Sequence, residues 1–239
     1  LLGVSIVAVL SASKSSSGRY AERLRASRAK QPVGWHGRAR QLWKKERPKV
    51  SSVKYFQVMA RNNAWANERL ITACDKLSDA DFLAPRTGFF PSLMLALNHI
   101  LVVDWFYVDA LEGGTLGPDA WSDQAPCKTA LTLRAAQQMV DLRLIDFCDG
   151  LTEAKLGTAV DMHRGTRIQT DRVDRVLLHL FQHQVHHRGQ AHAMLSATSV
   201  RPPQLDEFFV AEDAPLRRDE FHRLGWNEED VWRDFPEPA

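Results

Sequence analysis

The stretch LLHLFQHQVHHRGQAH, residues 177–192, carries five of the chain's nine histidines: His179, His183, His186, His187 and His192. Around it, Val173, Val176, Leu180, His187, Ala191 and Met194 recur at helical steps, which predicts a helix from a capping Asp171 through Ser196. At ~100° per residue, His183 and His187 lie about 40° apart, one above the other. His179 continues that row one turn earlier. His186 falls about 60° to the other side of His183, and His192 roughly opposite it. An i,i+4 pair of imidazoles on one helix can chelate a single divalent ion, but two ligands are too few to hold it tightly.

The best third ligand is His99, in ALNHILVVDWF (residues 96–106). It sits mid-helix among apolar residues, where an unpaired polar group is costly. Taken singly, an inward histidine is more often a hydrogen-bonded core residue, and an HxxxH spacing is a modest signal. Together, on two helices that must pack in one bundle, they support a metal site at His99, His183 and His187. Gln190 lies on the same side as His187 and is a candidate to orient a ligand or substrate. Asp104, one turn past His99, is a candidate acceptor for an imidazole N–H. These two are the candidate catalytic residues. Arg188 reads as a solvated or interface arginine, or as a partner for an anionic substrate. His179 reads as core or supporting polar, His163 as able to approach the site, and Trp65 and Trp105 as packing.

The same periodicity predicts three more long helices. In Lys54–Leu77 the inward row is Phe56, Met59, Asn63, Ala66, Leu70, Ala73 and Leu77, with Asn63 calling for a buried polar partner. The second runs from about Ser92 to a Gly113-Gly114 stop, with Leu93, Leu97, Ile100, Asp104 and Leu111 inward. The third spans about Thr129–Cys148, with Leu131, Ala135, Gln138, Leu142 and Ile145 as its stripe. AVDMHRGTRIQT (159–170) loses the helical period and reads as a small hairpin before the fourth helix. The expected fold is therefore all-α, a four-helix bundle.

A net charge of +2 conceals a split. Residues 1–50 hold 12 Lys and Arg against Glu22 and Glu46, a net of +10, which leaves −8 on residues 51–239. We expect a basic N-terminal extension (1–50), a metal-binding bundle (51–213) and an acidic C-terminal tail (214–239). The head, apolar and then rich in Ser and Arg, suits a transit peptide, the remains of an export signal, an extension with no address, or a nucleic-acid-binding arm. Cys74, Cys127 and Cys148 are odd in number and form no CxxC, which argues against disulfides or thiolate zinc and suits a reducing, cytoplasmic setting. A mitochondrial or other organelle address follows only if the head is a transit peptide. No apolar run approaches the ~20 residues of a membrane span.

The runs YFQVMARNNAWANERL (55–70), LNHILVVD (97–104) and above all HLFQHQVHHRGQAHAML (179–195) resemble the DinB/YfiT-like superfamily over about Lys54–Val210. Gln182 stands where the family pattern often has Asn. The resemblance implies a four-helix bundle, commonly a homodimer, with His99, His183 and His187 binding one divalent metal. It also implies metal-dependent chemistry of the kind its thiol-dependent isomerases and S-transferases perform. Three neutral imidazoles suit zinc or nickel, with iron a further candidate. The expected function is a metal-dependent transferase or hydrolase acting on a small molecule, with a low-molecular-weight thiol as candidate co-substrate. The alternative is a noncatalytic metal-braced dimerisation or stress-response module. DNA binding is opposed by the −8 charge of the body, because phosphate contacts need clustered Lys and Arg.

Overall fold

Hydroxyl side chains start three of the four long helices. Ser51 accepts from the Val53 amide and starts α1 (Ser52–Cys74). A short helix, α2 (Asp79–Leu83), follows. Ser92 accepts from Leu95 N and starts α3 (Leu93–Leu111), and Thr129 forms a capping box with Thr132 at the head of α4 (Ala130–Asp149). Each such cap satisfies an amide that has no partner within its helix. After the single turn α5 (Glu153–Leu156) come strands β1 (Ala159–His163) and β2 (Ile168–Arg172), then α6 (Val173–Leu195). The computed structural model describes residues 50–235; the basic head, with its targeting and nucleic-acid readings, lies outside them, as do residues 236–239.

α1 and α3 each pack against both α4 and α6, which closes a four-helix bundle. Its core includes Leu70, Leu93, Leu101, Leu133, Leu144, Leu177, Leu180 and Leu195, all essentially inaccessible to water. α3 has the length and composition of a membrane span, although Asn98, His99 and Asp104 interrupt it; 67% of its most apolar window is buried inside the bundle. The hairpin pairs antiparallel, Ala159 opposite Arg172 and His163 opposite Ile168. Gly117, on a 3-10 turn (Gly117–Trp121), lies against it with φ +53°, and a Cβ there would come within 2.9 Å of the His163 carbonyl. Only glycine fits both demands.

Two expectations need correction. Asp171 does not cap α6: it lies within β2, opposite Val160, accepts from the Arg172 amide and pairs with Arg175, while the N-cap position falls to Arg172. The stripe expected to face inward on α4 instead faces water. Leu131 is 65% and Leu142 54% exposed, Ala135 and Gln138 are exposed as well, and only Ile145 of that set is buried. The face that α4 does bury contains Leu133, Gln137, Val140, Asp141 and Leu144, and its two polar members disguise it in the sequence.

The acidic tail is folded over its described residues. A 3-10 turn (Ala211–Asp213) leads into α7 (Ala214–Leu224) and α8 (Glu228–Trp232). These bury Phe221 and Val231 with Phe208 against Val58, Trp65 and Ala66 on the outer face of α1. Arginines tie the polar rim. Arg217, wholly buried, donates to both carboxylate oxygens of Glu228 and to the carbonyls of Glu207 and Val210. Arg69 pairs with Glu207 and Glu220.

Gln137 and Asp141 belong to a polar network sealed inside the bundle. Arg188 on α6 donates to the side-chain oxygens of Asn63, Asn67 and Gln184. The amide nitrogens of Asn63 and Asn67 donate in turn to Asp141, 3.1 Å away in each case. The two asparagines of α1 thus relay between a guanidinium and a carboxylate that do not touch. Gln137 donates to Asp141 at 3.1 Å and to Asp104 on α3 at 2.7 Å.

Two carboxylates face one buried cation, so both cannot ionise cheaply. Burial and the Asp141 charge push Asp104 up to about 8, against the pull of Gln137, Gln184 and Arg188. Asp141 rises less, to about 6, because burial is opposed by Asn67, Gln137, Arg188 and Asn63. Burial lowers Arg188 to about 10. Asp104 is therefore the neutral member at pH 7. Its folded pKa of about 8 exceeds the unfolded value of ~3.9, so within that window the folded chain holds the extra proton. The stability this contributes is complete below the unfolded pKa and lost as pH rises through the folded one. Asp104→Asn, which stays neutral, should raise the melting temperature at about pH 9 and leave it nearly unchanged at about pH 4. Parallel melting profiles for the two proteins across that range would refute the assignment.

Candidate metal centre

One turn of α3 and two of α6 bring three imidazoles together. His99 Nε2 lies 3.1 Å from His183 Nε2. One ring nitrogen from each of His99, His183 and His187 falls within 4.8 Å of the others. Ring centroids stand 5.0 Å apart for His99 and His183, 4.6 Å for His99 and His187, and 4.3 Å for His183 and His187. Ligands ~2.0–2.1 Å from a tetrahedral zinc ion lie ~3.3 Å apart, so the observed contact is of the right size. No aspartate, glutamate or cysteine joins the group among the described residues.

The protonation states suit ligation. Burial first, and then the His187 imidazole, pushes His99 down to about 4. Burial and the surrounding imidazoles push His183 down to about 3, and burial lowers His187. Three imidazolium ions cannot share so small a space. At neutral pH each ring is therefore uncharged and carries a lone pair.

Gln190, one turn beyond His186, decides which nitrogen of His187 that is. Its side-chain oxygen lies 2.9 Å from His187 Nδ1, so the ring donates there and turns its bare Nε2 toward the other rings. The Gln190 amide nitrogen meets His186 Nε2 at 3.1 Å. His183 Nδ1 is buried with no protein partner among the described residues, so this ring is held by packing between His179 and His187.

The remaining predicted residues fall elsewhere. Asp104 accepts from Gln137 in the polar network and, among the described residues, from no imidazole. Arg188 is neither solvated nor placed for substrate, being 4% exposed within that network. His179 packs on Tyr107. His192 contacts the Pro203 carbonyl, and His163 lies on β1 against Gly117. Trp65 is buried packing under the C-terminal helices, and Trp105 packs against the main core.

Sequence reasoning passed over the loop before α3. Phe90 packs on His99 and His187, with centroids at 4.6 and 5.5 Å, and closes one side of the triad. A cavity of about 390 Å³ opens against His99, walled by Phe89, Phe90, Leu95, Val102, Val103 and Trp121. The consecutive phenylalanines of a Gly- and Pro-containing loop were the available signal. Larger cavities of about 440 and 510 Å³ lie beside Arg69 and under the C-terminal helices, where paired ions such as Arg69–Glu220 and Arg217–Glu228 already use the charges.

No curated protein matches the chain. A solved structure of a DinB-like protein from Bacillus cereus ATCC 10987 is similar, with 17% identity and a TM-score of 0.48, over 61% of this chain and 94% of that one. The DinB family model matches residues 51–220, from the cap of α1 through α6 and into α7. With well over half of its length matched, and with a helical bundle that brings three histidines together, the chain belongs to the DinB family.

Proposed function

We propose that the protein is a divalent-metal-dependent enzyme, a small-thiol S-transferase or a hydrolase, in which His99, His183 and His187 hold the ion. The observation that carries this reading is the convergence of three neutral imidazole nitrogens within 4.8 Å, with no fourth protein ligand in the group among the described residues. Zinc or nickel fits an all-imidazole donor set; the carboxylate of a facial iron triad is missing from it. A cation held there supplies positive charge that polarises an oxygen- or sulfur-bearing substrate and favours the deprotonated form of a water or thiol beside it.

The chain's own groups set the conditions for that chemistry. Gln190 keeps the His187 proton on Nδ1. Phe90 shields the rings from water on one side. No cysteine of the protein can serve as the thiol. All three are buried, and burial pushes Cys74 and Cys148 up to about 12. Any thiol used at this site must therefore arrive as a separate small molecule. The cavity against His99 favours catalysis over a purely bracing ion, which would need no approach for a substrate. A homodimer is part of the same proposal, supported by apolar residues left in water on two outer helix faces: Leu131, Met139 and Leu142 on α4, Leu178 and Val185 on α6.

Two measurements test the site. Elemental analysis should find about one divalent ion per chain and almost none in the His183→Ala/His187→Ala protein, since one imidazole cannot hold it. Equal metal content in the two would end the proposal. Gln190→Leu should weaken metal affinity about 10–100-fold in a chelator competition, whereas Gln190→Glu, which keeps an acceptor, should bind nearly as the parent does. Equal losses in both would remove Gln190 from its orienting role.

A further inference from the structure

We propose that the cavity beside His99 is the binding site for an uncharged, largely apolar small molecule that directs one polar atom toward the three imidazoles. This rests on the metal-dependent reading only for the direction of the polar end; the cavity's chemistry is independent of it.

The walls come from three elements that meet at the N-terminal half of α3. Leu95, His99, Val102 and Val103 share one face of that helix, at spacings of four, three and one. Phe89, Phe90 and Pro91 come from the preceding loop, and Trp121 from the 3-10 turn. Apart from His99, the polar groups on the wall are the Gln124 amide and the Trp121 indole N–H; among the described residues no lysine, arginine, aspartate or glutamate lines it. A charged ligand would give up hydration here and meet no counter-charge, so the wall selects against it. About 390 Å³ lies toward the small end of the range for metabolite-sized sites, too little for a peptide or a folded partner.

Phe89 and Phe90 divide the work of recognition. Their rings meet edge to face at 5.0 Å. Phe90 faces both the cavity and the rings of His99 and His187, so a ligand lying along it ends at the triad. Phe89 is 80% exposed at the edge of the same cavity. The bundle has no use for a phenylalanine held in water, whereas an apolar ligand seated beside it would cover the ring. The site is thus apolar along its length, with its polar terminus at His99.

The test uses the full chain and neutral N-phenyl-1-naphthylamine, which fluoresces when shielded from water. Metal-free protein should bind it, and Leu95→Asp and Val103→Arg should each weaken binding about tenfold or more, because they place an uncompensated charge in the wall. Phe89→Ser, on an exposed loop that leaves the fold intact, should also weaken it, while Leu216→Arg on α7 should not. The anionic 8-anilinonaphthalene-1-sulfonate should bind about tenfold or more weakly than the neutral probe. Equal binding of the two probes, or indifference to all three cavity substitutions, would overturn the proposal. Because this arm needs no metal, its failure is distinct from a failure of the metal site, which elemental analysis reports. Metal loading should then tighten binding of neutral 1-naphthalenethiol about tenfold, and no gain in a metal-loaded protein would overturn the orientation toward the triad.

Discussion

A guanidinium enclosed by the bundle sets the rotation of α6, and with it the position of the histidines. Arg188 and Gln184 are one turn apart on the face of α6 turned toward the polar residues of α1 and α4. His183 and His187 each precede one of these two residues by a single position, ~100° around the helix, where α3 packs. Turning α6 to remove Arg188 from Asn63 and Asn67 would strand a buried charge and carry both imidazoles away from His99. Apolar packing alone tolerates small rotations, because leucines fill similar space over a range of angles. A hydrogen-bonded charge in a low-dielectric interior does not.

The network and the triad apply the same electrostatics with opposite results. Inside the bundle, two carboxylates and one guanidinium are kept apart by amides, and the resulting imbalance leaves Asp104 protonated near neutral pH. At the bundle's edge, three bases crowd together with no carboxylate in the group among the described residues, and burial, reinforced by the neighbouring imidazoles, keeps the rings neutral. An arrangement of bare imidazoles is stable by itself only as neutral rings, and it is the arrangement that a cation's positive charge would complement.

The outer face of α1 has a second task. Val58, Trp65 and Ala66 point away from the histidine helices and receive Phe208, Phe221 and Val231 from the C-terminal segment. Two arginines hold that segment through carboxylates and backbone carbonyls, so Glu207, Glu220 and Glu228 are structural partners rather than free surface charge. α1 is therefore buried on more than one side, as its nearly unbroken run of buried residues from Asn62 to Glu68 shows.

Local pattern in the sequence was enough to establish the four long helices, the hairpin around Arg164-Gly165 and the stacking of His183 on His187, because each depends on residues within a few turns of one another. Asn63's need for a buried partner was legible for the same reason: a polar residue on an apolar row must be answered. The pairing of His99 with the α6 histidines was an expectation whose geometry only packing could supply. The burial of α4 was not legible, since Gln137 and Asp141 look like solvent residues until Asn63, Asn67 and Arg188 are placed against them. The same holds for Asp104, which the spacing aimed at an imidazole and the packing gave to Gln137. The folded tail and the cavity behind Phe90 also depended on contacts between distant segments, and no period in the chain records which surfaces of two separate helices will meet.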